Sequence, residues 1–197
     1  ISATTDTDLL PSVAPYTLAQ DMLTWPSSWV FASDMSDDDA GTGIRDWSRF
    51  ANHGTKGAGA AAPTEVAGLV GMAQEFVAAN EQYITVTDDS SLDLTAMTIV
   101  ALVKPTVSVT DNRFISKHGY HFIGFRSSLV SVFAGASYIL QSTTVPVVGT
   151  TYGVYYSYDA ALSRLFINGA EEDSAAGYLS WDNDHDLLLG KGTAYSN

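Results

Sequence analysis

The sequence predicts an all-β fold, either two packed antiparallel sheets or a closed barrel, and three observations carry that reading. Short β-branched and aromatic runs recur at hairpin spacing from Gly71 onward, and the 3.6-residue period of a helix is hard to find outside Leu18 to Leu23. The third observation is the segment Thr151 to Gly169, which reads as a complete strand pair. Tyr152 to Tyr158 and Arg164 to Asn168 form its two strands around a polar turn at Asp159 and Ser163, and the turn pair Asn168-Gly169 closes it. Sheet edges must be covered, so strands in this number imply sheets that stack or close on themselves.

The elements follow in order along the chain. Residues 1–28 are rich in Thr, Ser, Pro and Asp without a sustained period, and read as an extended N-terminal arm or linker ahead of a sandwich over 29–197. Trp29-Val30-Phe31 reads as a short strand that enters the carboxylate run Asp34, Asp37, Asp38 and Asp39 and a turn at Gly41 and Gly43. The Gly/Ala-rich passage from Gly54 to Ala62 reads as a surface loop. Ala73 to Val77 and Tyr83 to Val86 are predicted strands parted by Ala79 and Asn80, and Thr98 to Lys104 is a β-branched strand stopped by Pro105. Phe114 to Lys117, His121 to Phe125, Leu129 to Phe133 and Tyr138 to Gln141 follow as hairpin strands, and Leu187 to Leu189 is the last.

Composition bounds the function. With 197 residues and 46% apolar composition the chain can bury one real core. A formal charge of −13 argues against a partner held through phosphates, so neither nucleic acid nor an anionic membrane is expected. The absence of cysteine excludes disulfides, Cys-based zinc sites and thiol nucleophiles. No window approaches the roughly 20 apolar residues that cross a bilayer, and Ile1 begins neither a signal peptide nor a Met start, so a soluble, processed or partial product is expected.

Several pieces occur in an order that resembles a known family. These are Ile44-Arg45-Asp46-Trp47-Ser48 with Asn52-His53-Gly54, then Gly71-Met72-Ala73-Gln74-Glu75-Phe76 and Tyr83-Ile84-Thr85-Val86. They continue as Ser91-Leu92-Asp93-Leu94, Met97-Thr98-Ile99, Val103-Lys104-Pro105, Ile115-Ser116-Lys117, Tyr158-Asp159, the run Arg164 to Gly169, and Leu188-Leu189-Gly190. Together they resemble the LamG-like, concanavalin A-like lectin/glucanase jelly-roll superfamily. The resemblance implies a two-sheet antiparallel jelly-roll β-sandwich, often calcium-stabilised and usually a non-catalytic recognition or structural module. Tyr152 stands where the family has Trp, and the Gly that often follows the early Phe is missing at Val77-Ala78. The family's final strand has no counterpart before Asn197, which predicts an open sheet edge covered by the arm or by a neighbouring chain.

The candidate site residues fall in two groups. Calcium takes six to eight oxygen ligands, which Asp-rich loops can supply, and the donors expected here are Asp34, Asp182 and Asp186, with Asp46 added because it stands at the family's Asp-x-Ser position. Neither acidic loop is an EF-hand. Sugars stack on aromatic faces beside hydrogen-bonding side chains, and Tyr178, Trp181, Asn183 and Asp184 lie together in one loop. Tyr152, Tyr156 and Tyr158 alternate onto one strand face and read as core. Glu171-Glu172-Asp173 reads as a solvated turn, and His118 with His121 as a hairpin surface pair.

Glycan-cleaving relatives carry Glu-x-Asp-x-x-Glu along one strand, which this chain lacks, and no Gly-x-Ser-x-Gly elbow occurs either, so an enzyme is not expected. Two function classes lead. One is a structural or adhesive module of a larger assembly, such as a phage virion decoration or fibre protein or a secreted surface protein, binding other chains through the arm and the open edge. The other is a glycan-binding lectin domain, with a glucanase-type enzyme third. Either leading class places the chain outside the cell or on a virion surface.

Overall fold

The computed structural model describes residues 28–107, 111–117, 121–134, 137–177, 181 and 184–191. The arm read over 1–28 lies outside these residues apart from Ser28, as do Leu18 to Leu23, His118, Tyr178, Asp182 and Asn183. Fourteen strands are described: β1 (Gly43–Ile44), β2 (Gly54–Lys56), β3 (Thr64–Ala67), β4 (Met72–Glu75), β5 (Ile84–Val86), β6 (Met97–Val103) and β7 (Asp111–Lys117) are the first half. The second half is β8 (His121–Arg126), β9 (Leu129–Ala134), β10 (Ser137–Gln141), β11 (Tyr152–Tyr158), β12 (Leu162–Ile167), β13 (Ala170–Ala176) and β14 (Leu187–Leu189). Three short 3-10 turns complete the described secondary structure, which contains no α-helix.

An eight-stranded sheet runs in the order β1-β2-β5-β14-β7-β8-β9-β10, and a four-stranded sheet in the order β13-β12-β11-β6. Every pairing is antiparallel, and β3 with β4 forms a separate hairpin. The two large sheets pack face to face. Ile123, Phe125, Val130, Val132 and Leu140 from one meet Tyr152, Val154, Tyr156, Leu165 and Ile167 from the other in a single apolar cluster. Period-two alternation produces this directly, since successive side chains of a strand point to opposite faces. Tyr152 and Tyr156 are buried within the cluster and Tyr158 packs against it, so these three tyrosines of β11 serve the core.

Three segments depart from the sequence reading. Trp29-Val30-Phe31 forms no strand, although Phe31 still packs on both core clusters. Gly54 belongs to a strand, where a Cβ would lie 2.6 Å from Ile84 and 2.7 Å from Ile44, so this glycine marks close packing and not a flexible loop. Glu171-Glu172-Asp173 is also strand: Asn168 and Gly169 both take positive φ (51° and 84°), and this two-residue turn sends the chain straight back as β13. The register between β12 and β13 shifts at Leu165/Phe166, leaving Glu172 as the extra residue of a bulge.

The bulge has a structural use. Adjacent acids on a regular strand would point apart, yet here both reach the end of β10 and the segment that follows it. Glu172 accepts from the Thr143 and Thr144 backbone N–H groups at 2.9 and 3.0 Å and from both threonine hydroxyls, while Asp173 accepts from the Gln141 N–H at 2.9 Å. The carboxylates thereby lash the β13 edge of one sheet to the β10 edge of the other. The opposite edge strand of the four-stranded sheet, β6, pairs with β11 alone among the described residues.

Candidate functional site

The side chains of β7 to β10 that face away from the core build a surface the sequence reading left unassigned. Ser116, Phe122, Phe133 and Tyr138 are successive cross-strand partners, so they form one row across β7, β8, β9 and β10. The Phe122 and Phe133 rings stack 4.4 Å apart at 10°, and Tyr138 leans on Phe133 at 4.5 Å and 55°. Phe122 and Phe133 are buried, whereas Tyr138 is 46% exposed at the sheet edge.

Two arginines lie over this row. The Arg113 guanidinium sits 4.3 Å from the Phe122 ring centre, and that of Arg126 sits 5.1 Å from the Phe133 ring centre. Gly124 is opposite Arg113 on one side and Ser131 on the other, so the position between the two arginines carries almost no side chain. That gap gives both long side chains room to fold across the rings. Asp111 is opposite Arg126 and accepts from its guanidinium at 3.4 Å. Burial lowers the pKa of Arg113, the Asp111 carboxylate opposes that shift, and Arg126 reinforces it. Gln141 donates to Ser131 Oγ at 3.3 Å beside the row.

The residues singled out for calcium turn out to be hydrogen-bond acceptors for the protein itself. Asp46 is buried and accepts the backbone N–H groups of Ala32, Ser48 and Asn52 at 2.8, 2.9 and 2.7 Å, together with the Ser48 hydroxyl at 2.6 Å. Asp34 accepts from Ser36 N–H and Trp47 Nε1, and Asp186, on the surface, accepts from Asp88 N–H at 2.9 Å. Asp37 ion-pairs with the buried Lys56 and takes a bond from Gln74. Among the described residues no three His, Asp or Glu side chains converge on a point that could hold a metal. Asp182, the fourth expected donor, lies outside the described residues.

A protein cation stands in the neighbouring cluster of acids. Lys117, fully buried, donates to Asp88 and Asp93 at 2.8 Å each and to the Trp181 carbonyl at 3.2 Å. Oxygens of both charge types therefore surround an ammonium that the fold carries with it, and the pair geometry offsets its desolvation.

The loop singled out for sugar stacking is not brought together as an aromatic platform by its described members. Trp181 is 3% exposed and belongs to the core cluster, so neither ring face is presented to solvent. Asp184 is on the surface. A Trp in a polar loop carries no sign of which way it turns, whereas the alternation in His121 to Arg126 and Leu129 to Ala134 does separate Phe122, Arg126 and Phe133 from the core-facing set. That period-two signal, applied face by face, could have found the row.

The sequence profile of the concanavalin A-like lectin/glucanases superfamily matches residues 78–197. The chain belongs to this superfamily. The match spans β5 to β14 and so contains the whole row and both arginines. A search of curated protein sequences returns no match. Among solved structures, domain 4 of AbnA, a GH43 extracellular arabinanase from Geobacillus stearothermophilus in complex with arabinotriose, is similar at 16% identity. That alignment covers 69% of this chain and 72% of the domain, with a TM-score of 0.52. A candidate carbohydrate binding protein from Bacteroides ovatus aligns at 17% identity over 58% of this chain and 36% of its own length, with a TM-score of 0.46. The galectin LEC-6 of Caenorhabditis elegans aligns at 12% identity over 56% of this chain and 82% of its own, with a TM-score of 0.37.

Proposed function

We propose that this member of the superfamily is a non-catalytic, lectin-type glycan-binding module whose ligand lies on the outer face of β7 to β10. The observation that carries the reading is the half-exposed Tyr138 ring, which extends a buried aromatic row flanked by planar guanidinium donors. Sugar rings pack on flat aromatic faces, and a few convergent polar groups fix their orientation. The arabinanase domain, which shares the fold, was solved with arabinotriose, and this supports the ligand class. The acid content of the face supports the non-catalytic part. Asp111 is the one carboxylate in β7 to β10, and glycoside hydrolysis by the usual routes takes two.

A glycan array followed by titration calorimetry tests this. Tyr138→Ala is expected to weaken the best ligand about tenfold, the usual worth of one aromatic contact, with an unchanged melting temperature. Undiminished binding by Tyr138→Ala would place the site elsewhere, and release of reducing ends by the wild-type chain would make it an enzyme.

A second reading, an assembly module, is favoured by β6, where Val100 and Leu102 are 60% and 58% exposed on a strand with one free edge among the described residues. Sedimentation of the wild type against Leu102→Lys tests it.

A further inference from the structure

We infer that the glycan bound on the β7 to β10 face is acidic, a polysaccharide of uronic acid residues whose ring carboxylate enters beside Arg126 and Arg113 while the sugar ring lies on Tyr138. The inference rests on the glycan-binding reading and deepens it from sugar in general to one charge class. Its basis is a local reversal of charge. The chain carries nine Lys and Arg against 22 Asp and Glu, so a surface patch drawn from it should be acidic. Several of those cations are committed elsewhere: Lys56 and Lys117 to buried ion pairs, Arg164 to Asp159, and Lys191 to Glu81. The strands β7 to β10 themselves instead carry Arg113 and Arg126 against the single carboxylate of Asp111, an excess of one positive charge beside a half-exposed aromatic ring, while Glu172 and Asp173, which reach the end of β10, are engaged by the Thr143, Thr144 and Gln141 N–H groups.

The geometry selects a carboxylate. A guanidinium fork matches a planar carboxylate with two parallel N–H bonds at roughly 2.7–2.9 Å. Asp111 meets Arg126 at 3.4 Å through one oxygen, longer than a charge-assisted bond, with both side chains substantially open to solvent. Asp111 therefore holds Arg126 over Phe133 without saturating its donors. A ligand carboxylate can take the remaining N–H groups, in competition with Asp111. A neutral sugar would leave this charge excess unused, and the −13 chain repels an anion of high charge density such as nucleic acid. Spaced single carboxylates on a sugar polymer suit both conditions.

Binding to polygalacturonate, alginate and hyaluronan, each beside the same polymer with its carboxyls reduced to hydroxymethyl groups, tests the inference. At least one acidic polymer is expected to bind tenfold or more tightly than its reduced form, and the advantage should shrink as salt rises from 20 to 200 mM. Arg126→Gln should bring the acidic polymer down to the level of the reduced one, while Tyr138→Ala weakens both forms alike. Asp111→Asn supplies a change of opposite sign: with the competing carboxylate gone, the acidic polymer should bind severalfold more tightly, which a loss of folding could not imitate. Equal affinity for acidic and reduced polymers, or tightest binding to a neutral or sulfated glycan on the array, overturns the inference and leaves the glycan-binding reading standing. Binding to no glycan of any class overturns both.

Discussion

At the scale of single residues, Trp181 shows why an aromatic side chain must be placed before it is assigned. Its indole fills the core between the sheets, and its Nε1 has no hydrogen-bond partner among the described residues. Trp181→Ala is therefore expected to destabilise the fold by about 3–5 kcal/mol, the range for emptying a buried Trp, measured by urea denaturation. Trp181→Phe should cost much less, because it keeps most of the ring volume and removes a buried, unpartnered donor. A Trp181→Ala chain of wild-type stability would mean that the ring does not fill the core. The same distinction separates Tyr138 from Tyr156: the first stands on the outer row, and the second is buried with its hydroxyl 3.0 Å from Ser163 Oγ. In the sequence both are one Tyr in a strand, and only the pairing register of β9 with β10 and of β11 with β12 sends them to opposite sides.

At the scale of elements, most strands were legible because their signal is local. Tyr152 to Tyr158 and Leu187 to Leu189 match the observed strands end to end, and the strands from β5 to β12 fall within a few residues of their predicted bounds. What was not legible depended on contacts far along the chain. Gly54 reads as flexible until Ile44 and Ile84 crowd it, and the acids of β13 read as a turn until Thr143 and Thr144 receive them. The outer row is a different case: its strands are legible, and the alternation within them already marks the face on which Phe122, Arg126 and Phe133 stand. Glu172 turns this lesson into a pH prediction. The threonine hydroxyls, first of Thr143 and then of Thr144, hold its pKa down at about 2 from an ordinary 4.5, with the backbone N–H groups adding to the effect. A folded-state value below the unfolded one stabilises the fold fully above pH 4.5, and the contribution is lost as pH falls through about 2. Glu172→Gln should therefore be less stable than wild type at pH 7, by on the order of 1 kcal/mol given the solvent access of the site. The gap should close progressively between pH 4.5 and 2 in thermal melts. A gap independent of pH would mean that the charge on Glu172 is not what ties β13 to the segment after β10.

At the scale of the whole molecule, four lateral edges bound the two sheets among the described residues, and they are guarded unequally. β1 is two residues long, β10 and β13 are lashed together by Glu172 and Asp173, and β6 is seven residues long with Val100 and Leu102 outward. Native edges are normally protected by inward charge, proline, bulges or brevity. Within β6 none of these occurs, and Lys104 and Pro105 come just after its end. Beside β6, the aromatic pair Tyr155 and Phe166 continues the apolar outer surface, with centroids 5.2 Å apart in an edge-to-face contact. What opposes pairing between two copies is long-range repulsion, because each brings a formal charge of −13. The balance of a short-range attractive strand against a long-range charge has a definite salt dependence. Repulsion is screened beyond a Debye length of roughly 10 Å at 0.1 M salt, while backbone pairing and apolar contact are not. Sedimentation at 100 μM protein is therefore expected to show a monomer in dilute buffer and growing association as salt is raised, opposite to a complex held by ion pairs. Leu102→Lys adds a charge in the middle of the edge and should keep the chain monomeric throughout. A wild-type chain that stays monomeric at every salt concentration, or a Leu102→Lys chain that associates equally well, would remove β6 as the surface through which an assembly forms.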